Sequence, residues 1–244
     1  MNVISQVSKL ENSLKLQEGS EERFNGYGVM GLTFKSGHVL AYRNFMATSI
    51  GPGFQSVWHR RPDGEWTFYT DINPSLSCPR YFGEQARQAI TETIDVTWIG
   101  HDRFRVEINR IGLKWEVILS STVGTKLMNL AAGVMPDKWW KNETILRLMS
   151  RVAGNVLETG RIALSGYAPN GQYFIANPYK LWIVSDSHAL LGNMDFGEMG
   201  PLAKQAHLRD FWIPQKGIFA FGRAYFEPFN KEKHSNNAQL PFYH

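Results

Sequence analysis

The chain reads as a mainly β protein: an antiparallel lipocalin-like barrel, or a two-lobed β-barrel or sandwich, with a central two-helix insert and a short N-terminal helix. Three observations predict this. Runs that alternate apolar and polar residues recur as hairpin pairs in both halves of the chain. Residues 122–157 replace that alternation with helical spacing. Aromatic residues make up 13% of the 244, eight of them Trp, and such side chains favour strands and ligand pockets.

The elements follow in order. Residues 2–16 place Ile4, Val7, Leu10 and Leu14 at helical spacing, opposite Lys9, Glu11 and Lys15. QEGSEER is a polar linker, and GHVLAYRNFMAT is a strand. FQSVWHRRPDGEWTFYTD is a hairpin whose turn has a mechanism. Pro62 presets φ, Asp63 tolerates the bridge region, and Gly64 takes the left-handed position. Pairing Arg61 with Glu65 sets Trp58 opposite Phe68, His59 opposite Thr67 and Val57 opposite Tyr69. One face then carries Phe54, Trp58, Trp66, Phe68 and Ile72; the other carries Gln55, Val57, His59, Thr67, Tyr69 and Asp71.

A second hairpin joins ITETIDVTWI to RFRVEINR through a GHD turn. Ile94, Val96, Trp98, Phe104, Val106 and Ile108 form its apolar face, and Asp95 falls opposite Glu107 on the polar one. LKWEVILSS adds a strand with Trp115 on its apolar side. Two helices follow, over TVGTKLMNLAAGVM and NETILRLMSRVAGNVL. The second has an apolar stripe of Ile145, Leu148, Met149, Val152 and Val156. Strands then return in GRIALSGYAP, QYFIAN, YKLWIVSDSHALL and GIFAFGRAYFEP, with a short helix expected over 201–207. The segments are an N-terminal helix and linker (1–23), a first β lobe (24–121), the helical insert (122–158), a second β lobe (159–228) and a flexible tail (229–244).

Composition excludes some functions. Net charge is +4 with the basic residues scattered, which is not the dense stripe that nucleic acid requires. No apolar run approaches the ~20 residues of a membrane-spanning helix. The amino end has no long apolar stretch of the signal-peptide kind. The lone Cys78 forms no internal disulfide and fits a reducing, cytoplasmic setting. GYGVMG, residues 26–31, matches GxGxxG but lacks the strand–turn–helix context of a dinucleotide site and reads as a turn. The seven His residues show no metal-ligand spacing, and no metal or cofactor is expected. Unpaired strand edges and exposed aromatics would favour a homodimer.

Acid/base chemistry needs titratable groups held away from water. Asp71, His59 and Tyr69 share one face, and Asp95 and Glu107 oppose one another, so these five are the candidate catalytic residues. Like charges directly opposed need a reason: one raised carboxyl acting as an acid, or a solvated face neutralised by Arg105. Arg80 and Arg105 are candidates to hold a polar end of a substrate, with Trp115 and Tyr81 as contacts to its body.

The hairpins SVWHRRPDGEWTFYTD and ITETIDVTWIGHDRFRVEI, with the strand-rich second half, resemble the lipocalin-like β-barrel proteins of the carotenoid-hydratase type over residues 30–228. The resemblance is architectural and transfers no catalytic residue. The first functional expectation is a cofactor-free enzyme acting on a mostly apolar small molecule inside a β cavity, as a hydratase, isomerase or cyclase. The alternatives are a non-catalytic carrier or sensor of a hydrophobic ligand, and a β-rich protein-interaction module.

Overall fold

The computed structural model describes residues 2–13 and 15–235; Leu14 and most of the expected tail lie outside them. In chain order the elements are α1 (Val3–Ser13), β1 (Glu22–Thr33), β2 (Val39–Thr48), β3 (Phe54–Arg60), β4 (Trp66–Thr70), α2 (Pro79–Phe82), β5 (Gln88–Thr91), β6 (Asp95–Trp98), β7 (Arg103–Ile108) and β8 (Leu113–Ser120). Then come α3 (Val123–Val134), α4 (Glu143–Val156), β9 (Ser165–Tyr167), β10 (Tyr173–Leu191), β11 (Met194–Asp195), β12 (His207–Leu208), β13 (Phe211–Trp212) and β14 (Ile218–Phe226).

One sheet runs β5-β4-β3-β2-β1-β14-β10-β8-β7-β6, with β9 and β11 added on β10. Strands from both halves of the chain therefore share it. The sheet is curled into a half-barrel. The rings of Tyr42 on β2 and Phe104 on β7 lie 6.3 Å apart although four strands separate β2 from β7 in the order. In a flat sheet, with strands ~4.8 Å apart, they would be roughly 24 Å apart. Helix α1 closes the concave side. Val3 and Val7 join the concave core, and the Val3 and Ile4 amides donate to the His101 carbonyl in the β6–β7 turn.

Both hairpin registers match the sequence reading. Trp58 pairs with Phe68, His59 with Thr67 and Val57 with Tyr69; Asp95 pairs with Glu107. The turn closes as expected, with Gly64 at φ 99°. What alternation does not reveal is that the first hairpin is buried on both faces. Trp58, Trp66 and Phe68 join a convex-side core with α2, while Val57 and Tyr69 join the concave one. The second hairpin buries only its apolar face.

Four sequence expectations are corrected. GYGVMG lies within β1, not in a turn. A Cβ at Gly26 or Gly28 would stand 1.9 or 2.0 Å from the carbonyl oxygens of Asn44 or Tyr42, so close approach of β2 explains these glycines. QYFIAN and YKLWIVSDSHALL are one strand, β10, which accommodates Pro178 at a register shift. Residues 201–207 form no helix. The Gln205 amide donates to the carbonyls of Arg161 and Ile213, each at 2.8 Å, and holds the segment extended.

The stripe expected on α4 is the fourth. Leu148, Val152 and Val156 are exposed, and the helix buries Leu146, Ser150, Ala153 and Gly154 instead. Small residues win because the chain after α4 passes very close. A Cβ on Gly154 would be 2.4 Å from the Gly160 carbonyl, and the Leu164 amide donates to Ser150 Oγ at 2.9 Å. No helix among the described residues is long and apolar enough to cross a membrane.

Candidate functional site

Small residues on the convex face create an apolar cavity. Gly26 on β1, Ala176 on β10, and Ala220, Gly222 and Ala224 on β14 leave the sheet surface low. Met128 and Ala132 of α3, Met149 and Ala153 of α4, and Trp140 between the helices roof it. The result is a predominantly apolar cavity of about 170 Å³. A void of ~150 Å³ is enough for a benzene-sized ligand. Among the described residues no carboxylate, imidazole or ammonium group lines it.

Two arginines line the cavity, Arg43 and Arg223; Arg223 is partly exposed, whereas Arg43 is buried, at 3% exposed. Alternation along β2 sends Tyr42 to the concave core and Arg43 to the convex side. At a register shift in the β1–β2 ladder, Nη1 donates to the Val29 carbonyl and Nη2 to the Met30 carbonyl at 2.9 Å. Nη1 also donates to the Tyr42 carbonyl at 3.1 Å. The guanidinium lies 4.8 Å from the Trp58 ring centroid and 5.9 Å from that of Phe211. Burial lowers its pKa to about 10. Cys78 lines the same cavity, and burial raises its thiol pKa to about 11.

The residues singled out from sequence fall in four places. Tyr81 lines the cavity, but its hydroxyl donates to Glu22 Oε2 at 2.6 Å. Arg80 holds the same carboxylate at 2.7 Å, so this clamp already grips an acid of its own chain. The Gln172 amide donates to Glu22 as well, at 3.1 Å. Burial pushes the Glu22 pKa up, but the bonds from Arg80, Tyr81 and Gln172 outweigh it and leave the carboxyl below its ordinary range.

His59, Tyr69 and Asp71 share the concave side without forming one cluster. His59 sits 3.0 Å from His38 (Nε2 to Nδ1) and stacks on it and on Phe196. Tyr69 is buried, and burial followed by Glu92 raises its phenol pKa. Asp71 lies at the rim of a separate open cleft of about 510 Å³ beside α1, together with Glu11, Tyr27, Asn44 and Gln55. Its Oδ1 accepts from the Gln55 amide at 2.8 Å, and partial burial raises its pKa. There Tyr27 donates to Glu11 at 3.1 Å, and burial, followed by Glu11, raises the Tyr27 phenol pKa.

Asp95, Glu107 and Arg105 are on the solvated convex face of the second hairpin. Asp95 accepts from Asn109 at 3.2 Å, Glu107 pairs across strands with Lys114, and Arg105 binds Glu116 at 2.5 Å. Trp115 is fully buried in the concave core and donates to Ser187 Oγ at 2.8 Å. No group of three or more His, Cys, Asp or Glu among the described residues is placed to hold a metal.

Sequence reasoning missed Arg43 and Gly222. The available signal for Arg43 was its position in VLAYRNF, where a charge follows four apolar or aromatic residues within a strand. Compared with solved structures, the chain is similar to an acetoacetate decarboxylase from Legionella pneumophila, at 9% identity over 94% of this chain and 96% of that one, with a TM-score of 0.37. It is also similar to a second acetoacetate decarboxylase structure, at 8% identity over 89% and 90% of the two chains, with a TM-score of 0.41. No family model matches the chain, and no curated protein matches it.

Proposed function

We propose that the protein binds a small, mostly apolar molecule in the convex-side cavity, as a carrier or sensor of a hydrophobic ligand. The supporting observation is the cavity itself, with a predominantly apolar lining and the buried guanidinium of Arg43. Apolar walls with few fixed polar groups are the usual composition of small-molecule sites. Proton transfer is not needed to account for the groups that line it. Ala220 lies on the floor, so Ala220→Leu fills the space from below. Toluene and benzamide are expected to raise the thermal midpoint of the wild-type protein and not that of Ala220→Leu. At a ligand concentration 100-fold above Kd, the wild type should gain ~2.7 kcal/mol. An equal response in both proteins sinks the reading.

A second reading, an acid/base enzyme of the hydratase, isomerase or cyclase type, is favoured by the cleft beside α1. Its volume lies within the ~300–1,000 Å³ usual for ligand sites. Asp71, with its raised pKa, would supply the proton, and the Tyr27–Glu11 pair would take one up. His59 and Tyr69 would act from deeper on the same face, while Asp95 and Glu107 stand outside this scheme. Asp71→Asn is then expected to reduce turnover of an apolar alkene or epoxide at least 100-fold with the fold intact. Unchanged turnover would remove Asp71 as the acid.

A further inference from the structure

We propose that the convex-side cavity is selective for a monocarboxylic acid with a compact apolar body, whose carboxylate docks on the Arg43 guanidinium. The proposal rests on the ligand-binding reading above and names the ligand class. Buried charges in proteins are nearly always paired, because an isolated one is costly to remove from water. Arg43 has no such partner: among the described residues no carboxylate forms an ion pair with it. Three carbonyl oxygens accept from it, which satisfies hydrogen bonds and fixes its orientation but leaves the positive charge uncompensated. Of the five N–H donors that a guanidinium carries, these three bonds leave two for a ligand.

The chain's own anions are unavailable. The Cys78 thiol is the group nearest in chemistry, and burial keeps it protonated at neutral pH. The Glu22 carboxylate is held by Arg80, Tyr81 and Gln172. Two hydroxyls on the neighbouring strands, outside the cavity lining, also lack partners. Ser56 is paired with Arg43 across β2–β3, and Thr70 with Ser56 across β3–β4. Both are fully buried, and neither hydroxyl has a hydrogen-bond partner.

Charge and volume limit the ligand from two sides. The Arg43 guanidinium balances one negative charge; Arg223, the other arginine of the lining, is only partly buried and lies over the Tyr179 ring at 5.4 Å, so a monoanion is the ligand that Arg43 by itself compensates. A planar carboxylate matches the guanidinium fork. A cavity of about 170 Å³ admits a body near the size of a benzene or cyclohexane ring. Benzoate and cyclohexanecarboxylate are therefore suitable probes.

The test compares acids with their uncharged amides. Benzoate, cyclohexanecarboxylate, benzamide, cyclohexanecarboxamide and inorganic phosphate are titrated into the full chain at pH 7.5 and followed by calorimetry. Each carboxylate is expected to bind at least 10-fold more tightly than its amide, and phosphate not to bind. In Arg43→Met that preference is lost while amide affinity stays within about 3-fold. Amides binding as well as acids in the wild-type protein would overturn the carboxylate assignment and leave the cavity reading standing. Failure of acids and amides alike would overturn both. The wild-type comparison decides the matter even if Arg43→Met does not fold. Ala220→Leu, which retains the guanidinium, should lose acids and amides together; acids retained there would place their site elsewhere and overturn the proposal.

Discussion

Replacing Glu22 with Ala is expected to cost about 3 kcal/mol of stability, the scale for breaking a largely buried ion pair and stranding its donors. The carboxylate gathers three donors from two distant parts of the chain: Arg80 and Tyr81, both within α2, and Gln172 just before β10. The Glu22 side chain is 14% exposed and that of Arg80 is 24%, so solvent screens the pair only weakly. Removing the acid leaves a half-buried guanidinium and a fully buried Gln172 short of an acceptor. For a chain of this length that corresponds to a fall in thermal midpoint of roughly 6–12 °C. The pH dependence has a definite direction. The folded carboxyl titrates below its ordinary range, so its contribution is complete above the unfolded value of ~4.3 and is lost as pH falls through the folded one. Urea denaturation of Glu22→Ala, Arg80→Ala and the double variant checks the assignment. A loss below 1 kcal/mol in Glu22→Ala, or strictly additive single losses, would remove the cluster from the stability of the fold.

Local chemistry made much of the sheet legible. The Pro62-Asp63-Gly64 turn fixes the first register, and the alternation in DVTW and RFRVEI fixes the second; both hold residue for residue. The candidate site was less readable for three physical reasons. Period-2 alternation says which side chains share a face, not what covers that face. His59 and Thr67 look like solvent positions, yet curling of the sheet buries them. The cavity floor consists of Gly and Ala from strands far apart in sequence, and small residues announce nothing until β1, β14 and β10 are seen side by side. The helical insert misled through its strongest signal. Leu148, Val152 and Val156 of its expected stripe point outward, and the inward side of α4 includes Ser150, Ala153 and Gly154, which an apolar-stripe reading ignores. Arg80 stood out as a clamp because CPRYFG reads as a loop, although it folds as α2, while Arg43, hidden in a strand, was passed over.

Lowering the pH from 7.5 to 4.5 is expected to remove about 2–3 kcal/mol of stability through His59, before the carboxylates contribute much. Burial, then the neighbouring His38 and Arg61, depress the His59 pKa to about 4, with Asp63 opposing. Burial lowers the His38 pKa as well. Between pH ~6.5 and 4 the unfolded imidazole takes up a proton that the folded one refuses, so stability is complete above the unfolded value and declines through this window. The geometry explains the refusal. His38 Nδ1 faces His59 Nε2 at 3.0 Å, so one nitrogen donates and the other accepts; with both rings fully protonated, two donors would confront one another. Phe196 stacks on His38 at 4.0 Å and adds an apolar wall beside the pair, and the attraction of Asp63 does not offset the burial. His59→Phe keeps an aromatic ring beside His38 and Phe196 and cannot titrate. Its stability should therefore vary with pH by at least 1.5 kcal/mol less than that of the wild type between pH 7.5 and 4.5. Equal slopes in urea midpoints across this range would show that the pair is protonated without penalty. The window also separates this effect from that of Glu22, because the histidine loss is largely complete before the carboxylate begins to take up its proton.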